Sequence, residues 1–358
     1  VENAKVTVSK STFGASDDNT FGNSAVSGGA IYNTEMNTNK FALSSSKFYN
    51  NVAKELGGAI YNAGIMTDSG SLFQGNSAMY GGAIYNALNA DLKLSKSNFT
   101  SNSGTNGGAI YNTGYIITYD KKKNVTGGIT STKFSYNSAA IGGALFSAEK
   151  GCVGVSKSSF SYNNAKQGGA IYNKGSLTTI SSTFTGNTAI EDGGAVYNDG
   201  ILKDSKSTYK SNNSVNGGAI YGTNSGMMVI SSSVFQSNSA INGGAIYIDG
   251  FKDAQYKPTG YQGNQIIGAT FKNNTAQNGG AIYVGNYSEL YIQDTSFTNN
   301  IANIAGGAIF ADEYSLIYIA AVKKNVTFSG NKAGGKSNAI HLAKGAVLNL
   351  GANKGKNI

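Results

Sequence analysis

Aligned on a phenylalanine that returns again and again, the chain shows two short alternating patterns. Apolar residues stand seven and five places before the ring: Val6 and Val8, Leu92 and Leu94, Val153 and Val155, Leu290 and Ile292. Hydroxyl side chains often stand four and two places before it: Ser9 and Ser11, Ser44 and Ser46, Ser95 and Ser97, Ser156 and Ser158, Ser205 and Ser207. Alternation by two is the period of a β-strand, and a helical period is found nowhere. The two sets differ in parity, which predicts a bulge or bend between them. Phenylalanine and serines read as inward. Residues three and one place before the ring then face out, among them Lys10, Lys47, Lys96, Lys133, Lys157 and Lys206. Stacked at about 4.8 Å per turn of chain, they predict an exposed lysine stripe on the first two-thirds of the sequence. Asp294 takes the corresponding place further on.

The phenylalanine belongs to a repeat. Gly57-Gly58-Ala59-Ile60-Tyr61-Asn62 returns at 81–86, 107–112 and 168–173, with variants from Gly28, Gly142, Gly193, Gly217, Gly243, Gly279 and Gly306 and a worn copy at 337–341. Phe-x-x-Asn precedes many copies at a fixed offset of eight, as Phe73 does Gly81 and Phe99 does Gly107. Self-similarity at this period means a repeat architecture. One unit reads from Gly168 as a short strand, a turn at Lys174-Gly175, a longer strand over 177–184, a corner at 185–187 and a third short strand at 188–190. Three short strands per turn predict an all-β parallel β-helix of about 11 to 13 coils, running through residues 1–358 as one domain.

Each repeated residue has a mechanical reading. Phenylalanine plugs the core at a corner. Asparagine suits a tight turn, because it tolerates left-handed backbone and bonds nearby main chain. Asn76, Asn102, Asn137, Asn163, Asn187, Asn212, Asn238, Asn274, Asn300 and Asn331 should therefore stack into an amide ladder. The glycine pair permits backbone angles or approaches that a Cβ forbids. With isoleucine inward, the next residue faces out, and Tyr32, Tyr61, Tyr85, Tyr111, Tyr172, Tyr197, Tyr221, Tyr247 and Tyr283 predict an exposed aromatic ladder, with Phe146, Phe310 and His341 in the other places. Insertions near 113–128 (with Lys121, Lys122 and Lys123), 251–268 (with Pro258, Tyr256 and Tyr261) and 311–327 follow the tyrosine strand, so loops should protrude there and carry function. The first turn is irregular: Phe13 and Phe21 compete for the corner, beside Asp17-Asp18.

Composition narrows the function. Glycine is abundant, 49 of 358 residues, without the strict triplet of collagen. Charged residues are few, 13%, and the formal net charge is +9. Every basic residue is lysine, which lacks the planar fork used to read bases, so sequence-specific nucleic-acid binding is not expected; an affinity for polyanions is. Cys152 stands alone, which excludes an intrachain disulfide and fits an exported protein. No apolar run approaches the roughly 18 residues of a membrane span, and no signal peptide opens the chain.

The paired Gly-Gly-Ala-Ile and Phe-x-x-Asn motifs carry a family likeness over residues 28–341. The chain resembles the polymorphic outer-membrane proteins of chlamydiae and related adhesin-like repeat proteins of other bacteria and archaea. That resemblance implies a right-handed parallel β-helix, a place at the cell surface or outside the cell, a role in adhesion and virulence, and export as an autotransporter passenger. The translocator barrel of autotransporters is not found in these residues. The chain reads as a fragment or mature piece of something longer, anchored through other regions.

Two functions follow from different chemistries. A non-enzymatic adhesin or stalk would hold a receptor or a glycan on a host or environmental surface, through the lysine stripe, the tyrosines or the loops, with self-association also open. Its expected cofactors and metals are none. A carbohydrate-active enzyme on the same fold would need two carboxyls about 5–10 Å apart. The candidates are Glu191 with Asp192, Asp199 with Asp204, Asp249 with Asp253, and Asp312 with Glu313, and none recurs from repeat to repeat. His341 occupies a tyrosine place in the worn last copy and reads as a ladder substitution.

Overall fold

Parallel strands, one above another, account for almost all of the regular structure (Asp91–Ser95 through Ile110–Asn112 make one coil). The computed structural model describes residues 5–15, 22–34, 40–252 and 263–358. Asp17, Asp18, Phe21, Asp253, Tyr256, Pro258 and Tyr261 lie outside the described residues. The chain divides into two units, residues 1–183 and 184–358, and each is built as a parallel β-helix.

In the first unit the alternation of residue types sets the register. Leu92 lies beside Met66, Phe73 beside Phe99 and then Phe134, and Tyr85 beside Tyr111 and then Phe146. Like therefore stacks on like, and the inward rings of Phe13, Phe48, Phe73, Phe99, Phe134 and Phe160 run face to face at 4.6–4.9 Å. From Phe48 onward they are 0% exposed. In the second unit Phe184, Tyr209, Phe235, Phe271, Phe297 and Phe328 repeat the arrangement at 4.7–5.0 Å. A parallel sheet closed on itself in this way buries one face of every strand without any helix to cover it.

Most coils hold four strands where three were expected. The bend foreseen before phenylalanine is sharp enough to split the long strand, as Ser176–Ile180 and Thr183–Thr185 show. The break is one residue with positive φ, always three places before the ring: Lys10 (50°), Ser45 (47°), Gly70 (73°), Lys96 (56°), Ser131 (51°) and Lys157 (50°) in the first unit. That left-handed residue resets the parity. The serines two places before phenylalanine point inward, with Ser46, Ser71 and Ser97 at 1% exposure. Most residues four places before it do not follow them: Ser9 and Ser69 are exposed, and Ser44 and Ser95 half-buried, while Ser156 is buried at 7% exposure. The inward hydroxyls bond from coil to coil, Ser71 Oγ accepting from the Ser46 amide at 3.1 Å while Ser46 Oγ donates to the Ser44 carbonyl at 3.0 Å.

The glycine pair has a close-range cause. Gly57 has φ +63°, and a Cβ there would stand 2.1 Å from the Ile60 carbonyl oxygen. Gly58 lies against the next coil, where a Cβ would stand 2.1 Å from the Gly82 carbonyl oxygen. Both positions are closed to any side chain.

The insertions differ in kind. Residues 113–128 interrupt a long strand between Tyr115–Ile116 and Ile129–Thr130 and form an antiparallel hairpin, Thr118–Tyr119 with Val125–Gly127, tipped by Lys121, Lys122 and Lys123. Residues 311–327 make no free loop. They form a regular strand, Leu316–Ala321, and a corner pinned by Asp294, whose Oδ1 accepts from the amides of Val322, Lys323 and Lys324 at 2.7–3.1 Å.

Candidate functional site

The lysine stripe is a corner of the first unit. Backbone bonds stack Lys10 on Ser44, Lys96 on Thr130 and Lys157 on Ile180. Two positions share the charge. Lys10, Lys96 and Lys157 occupy the left-handed residue, and Lys47 and Lys133 stand two residues later at the start of the phenylalanine strand. All five are exposed. The line is broken once, where Gly70 and Leu72 take both places. Lys206 occupies the left-handed place in the second unit. An ion pair joins Lys93 to Asp91 at 2.9 Å; Lys10, Lys47, Lys96, Lys133 and Lys157 have no such partner among the described residues and keep their charge unneutralised. Lys121, Lys122 and Lys123 are also exposed, at a hairpin tip organised by Asp120, whose carboxylate accepts from the amides of Lys122 and Asn124.

The tyrosines are less open than alternation implied. Tyr61, Tyr85 and Tyr111 are half-buried, and Phe146 and Tyr172 are buried at 7% exposure. Their rings stack on one another, Tyr61 on Tyr85 at 5.5 Å, Tyr85 on Tyr111 at 5.3 Å and Tyr111 on Phe146 at 4.8 Å. Neighbouring rings thus cover the faces a sugar would stack on, and only edges and hydroxyls reach solvent. They floor a groove of about 600 Å³ walled by Leu88, Lys150 and Lys174. In the second unit Tyr197, Tyr221, Tyr247, Tyr283, Phe310 and His341 stack likewise. There, burial and then the Asp249, Asp312 and Asp192 carboxylates push the Tyr247 phenol up to about 12. Tyr221 and Tyr283 are pushed further the same way, Tyr283 also through its hydrogen bond to Asp312. These phenols stay protonated donors.

The carboxyls proposed as pairs are placed apart or already engaged. Asp204 lies in the core, accepting from Ser233 Oγ at 2.6 Å, whereas Asp199 lies in a turn, accepting from Thr223 and Ser225. Asp192 accepts from Asn216 Nδ2 at 3.0 Å. Asp312 is held by Tyr283, and Glu313 beside it is exposed. His341 stacks on Phe310 at 4.9 Å, as a ladder residue does. Cys152 is partly buried, which raises its thiol pKa.

The asparagines of Phe-x-x-Asn form the ladder that the repeat implied. In the first unit Asn51, Asn76, Asn102, Asn137 and Asn163 each give Nδ2 to the next Oδ1 at 2.9–3.0 Å. In the second unit Asn187, Asn212, Asn238, Asn274, Asn300 and Asn331 do the same. Asparagine is not the left-handed residue. Positive φ falls one place earlier, at Asn50, Gly75, Ser101, Tyr136 and Tyr162 in the first unit. A second ladder went unread: the asparagine that ends the Gly-Gly-Ala-Ile-Tyr-Asn copies. Asn33, Asn62, Asn86 and Asn112 are linked by Nδ2–Oδ1 bonds of 2.6–2.8 Å. Its signal was the recurrence of Asn62, Asn86, Asn112, Asn173 and Asn198 at one place in the motif.

Seven stretches match the Chlamydia polymorphic membrane protein repeat: 45–63, 70–87, 157–174, 181–199, 232–249, 268–285 and 294–312. Each begins at the left-handed residue three places before phenylalanine and runs through the tyrosine strand. The chain is built on the polymorphic membrane protein repeat. That repeat belongs to a family of proteins of the outer membrane and cell surface. No curated protein and no solved structure matches it. Among the described residues no helix is long and apolar enough to cross a membrane.

Proposed function

We propose that this polymorphic membrane protein repeat chain is a non-enzymatic adhesin that holds acidic polymers, sulfated or carboxylated glycans of a host or environmental surface, along the lysine corner of residues 5–183. The observation that carries this reading is the run of Lys10, Lys47, Lys96, Lys133 and Lys157 along one corner, exposed and without ion-pair partners. Spaced by the coil rise of about 4.8 Å and its multiples, such charges act together on a chain with regularly placed anions and weakly on a single small anion. Lysine suits this task, since a mobile point charge on a long stem fits many anion spacings.

The test is binding of heparin at low salt. Single Lys→Ala changes at 96, 133 and 157 each weaken it a few-fold, in line with ~0.2–1 kcal/mol per exposed charge pair, and the triple change nearly abolishes it. Wild-type protein that ignores heparin, or a triple variant that binds as well as wild type, rejects the reading. Chromatography of the glycan after incubation decides the alternative, a carbohydrate-active enzyme, which would leave shortened chains.

A further inference from the structure

Two coils of the first unit carry something that the repeat does not require. The residue between phenylalanine and its asparagine has left-handed backbone throughout, and most coils meet this with asparagine, glycine or serine: Asn50, Gly75 and Ser101 in the first unit; Gly186, Ser211, Ser237, Asn273, Asn299 and Gly330 in the second. Tyr136 and Tyr162 stand at that place with φ of 56° and 55°. A bulky side chain there is an outlier, and the strain persists only where something else favours it. Packing into the core does not supply the reason, because the two side chains are 61% and 54% exposed. They lie on successive coils and stack on each other at 5.4 Å and 12°. Tyr136 faces the coil of Ser101, whose small side chain leaves that side of the ring open. The same two coils carry Lys133 and Lys157, exposed and unpaired. Lys133 opens the strand Lys133–Ser135 and Tyr136 follows it, three residues or about 10 Å of extended chain away.

We infer that Tyr136 and Tyr162 form a stacking platform for a pyranose ring, flanked by Lys133 and Lys157, so that the lysine corner selects acidic sugars over other polyanions. The inference rests on the lysine reading above and adds to it a seat for the sugar ring and a preference for glycans over polyanions without rings. A sugar presents C–H groups to an aromatic face and its acidic groups to the neighbouring ammonium groups; a polyanion without rings meets only the lysines.

The experiment is the double substitution Tyr136→Asn and Tyr162→Asn. It recreates the Phe-x-Asn-Asn sequence native at 48–51, 271–274 and 297–300, so the fold is retained. Heparin and inorganic polyphosphate are titrated calorimetrically at low salt, and melting is followed in parallel. The expected result is roughly tenfold weaker heparin binding, polyphosphate binding unchanged, and a melting temperature no lower than wild type. Unchanged heparin affinity, or an equal loss for both polymers, overturns the platform and leaves the lysine corner standing. A lower melting temperature also overturns it, since the rings then serve the fold. Wild-type protein that binds neither polymer removes the lysine reading, and the platform with it.

Discussion

Asp68 occupies a place in the core where Leu43 and Leu94 stand in the coils on either side. It is 3% exposed, Ser97 Oγ donates to Oδ2, and Oδ1 has no partner. Burial pushes its pKa up to about 6, against the lowering effect of bonds to Ser71 and Ser97. Its folded pKa therefore lies above its unfolded value of 3.8. The folded state holds the proton more tightly, so the stabilisation is complete below about pH 4 and is lost as pH rises through about 6. A difference of roughly two units corresponds to ~3 kcal/mol. Urea unfolding between about pH 4 and 7 should show wild type weakening as pH rises, and Asp68→Asn should lose that component. An unchanged pH profile in the variant would mean that Asp68 does not take up a proton in the core. Asp294 shows the opposite case: burial disfavours its charge, yet Gln293 and the amides of Lys324, Val322 and Lys323 hold the carboxyl down to about 2. The sequence hinted at neither role, because an aspartate in a strand and one at a corner look alike until their neighbours are known.

Among elements, the asparagine row and the phenylalanine row hold the coils in register. Asn102 gives Nδ2 to the Phe73 carbonyl and Asn137 Oδ1, and its own Oδ1 takes the Asn76 amide and Nδ2, at 2.9–3.0 Å. Asn102→Ala orphans several buried groups at once. At about 1–3 kcal/mol for each, the expected loss is roughly 4 kcal/mol, while half-buried Asn98→Ala on the same coil costs little. Equal melting of the two variants would contradict the ladder. Phe160→Ala should cost about 3–5 kcal/mol as a buried aromatic truncation, and the loss should spread to adjoining coils, since each coil rests on its neighbours; hydrogen exchange in Lys133–Ser135 reports it. These rows were legible because the residue itself recurs. The parity break was legible only as a bend. Its left-handed residue is lysine, serine, glycine or aspartate by turns, so backbone geometry repeats there while residue type does not. The tyrosines were misjudged for a related reason. Strand alternation says which side a ring leaves by, not what covers it, and the covering comes from the next ring and from Leu88, Lys150 and Lys174.

For the molecule as a whole, the net charge of +9 matters less than where lysine is left unpaired. A protein held together by coil-to-coil hydrogen bonds and ring stacks needs few ion pairs, and none engages Lys96, Lys133 or Lys157 among the described residues. Charge on its corners is thereby free for a partner. Surface charges are screened over about 8 Å at physiological ionic strength, so a contact made by the lysine corner must weaken as salt is added. The most direct test is a salt series of heparin affinity for wild type beside the Lys96→Ala, Lys133→Ala, Lys157→Ala variant. The account predicts a steep fall with salt for wild type and a shallower one, from a lower start, for the variant. Wild-type affinity that does not change with salt, or the same slope for both proteins, would contradict it.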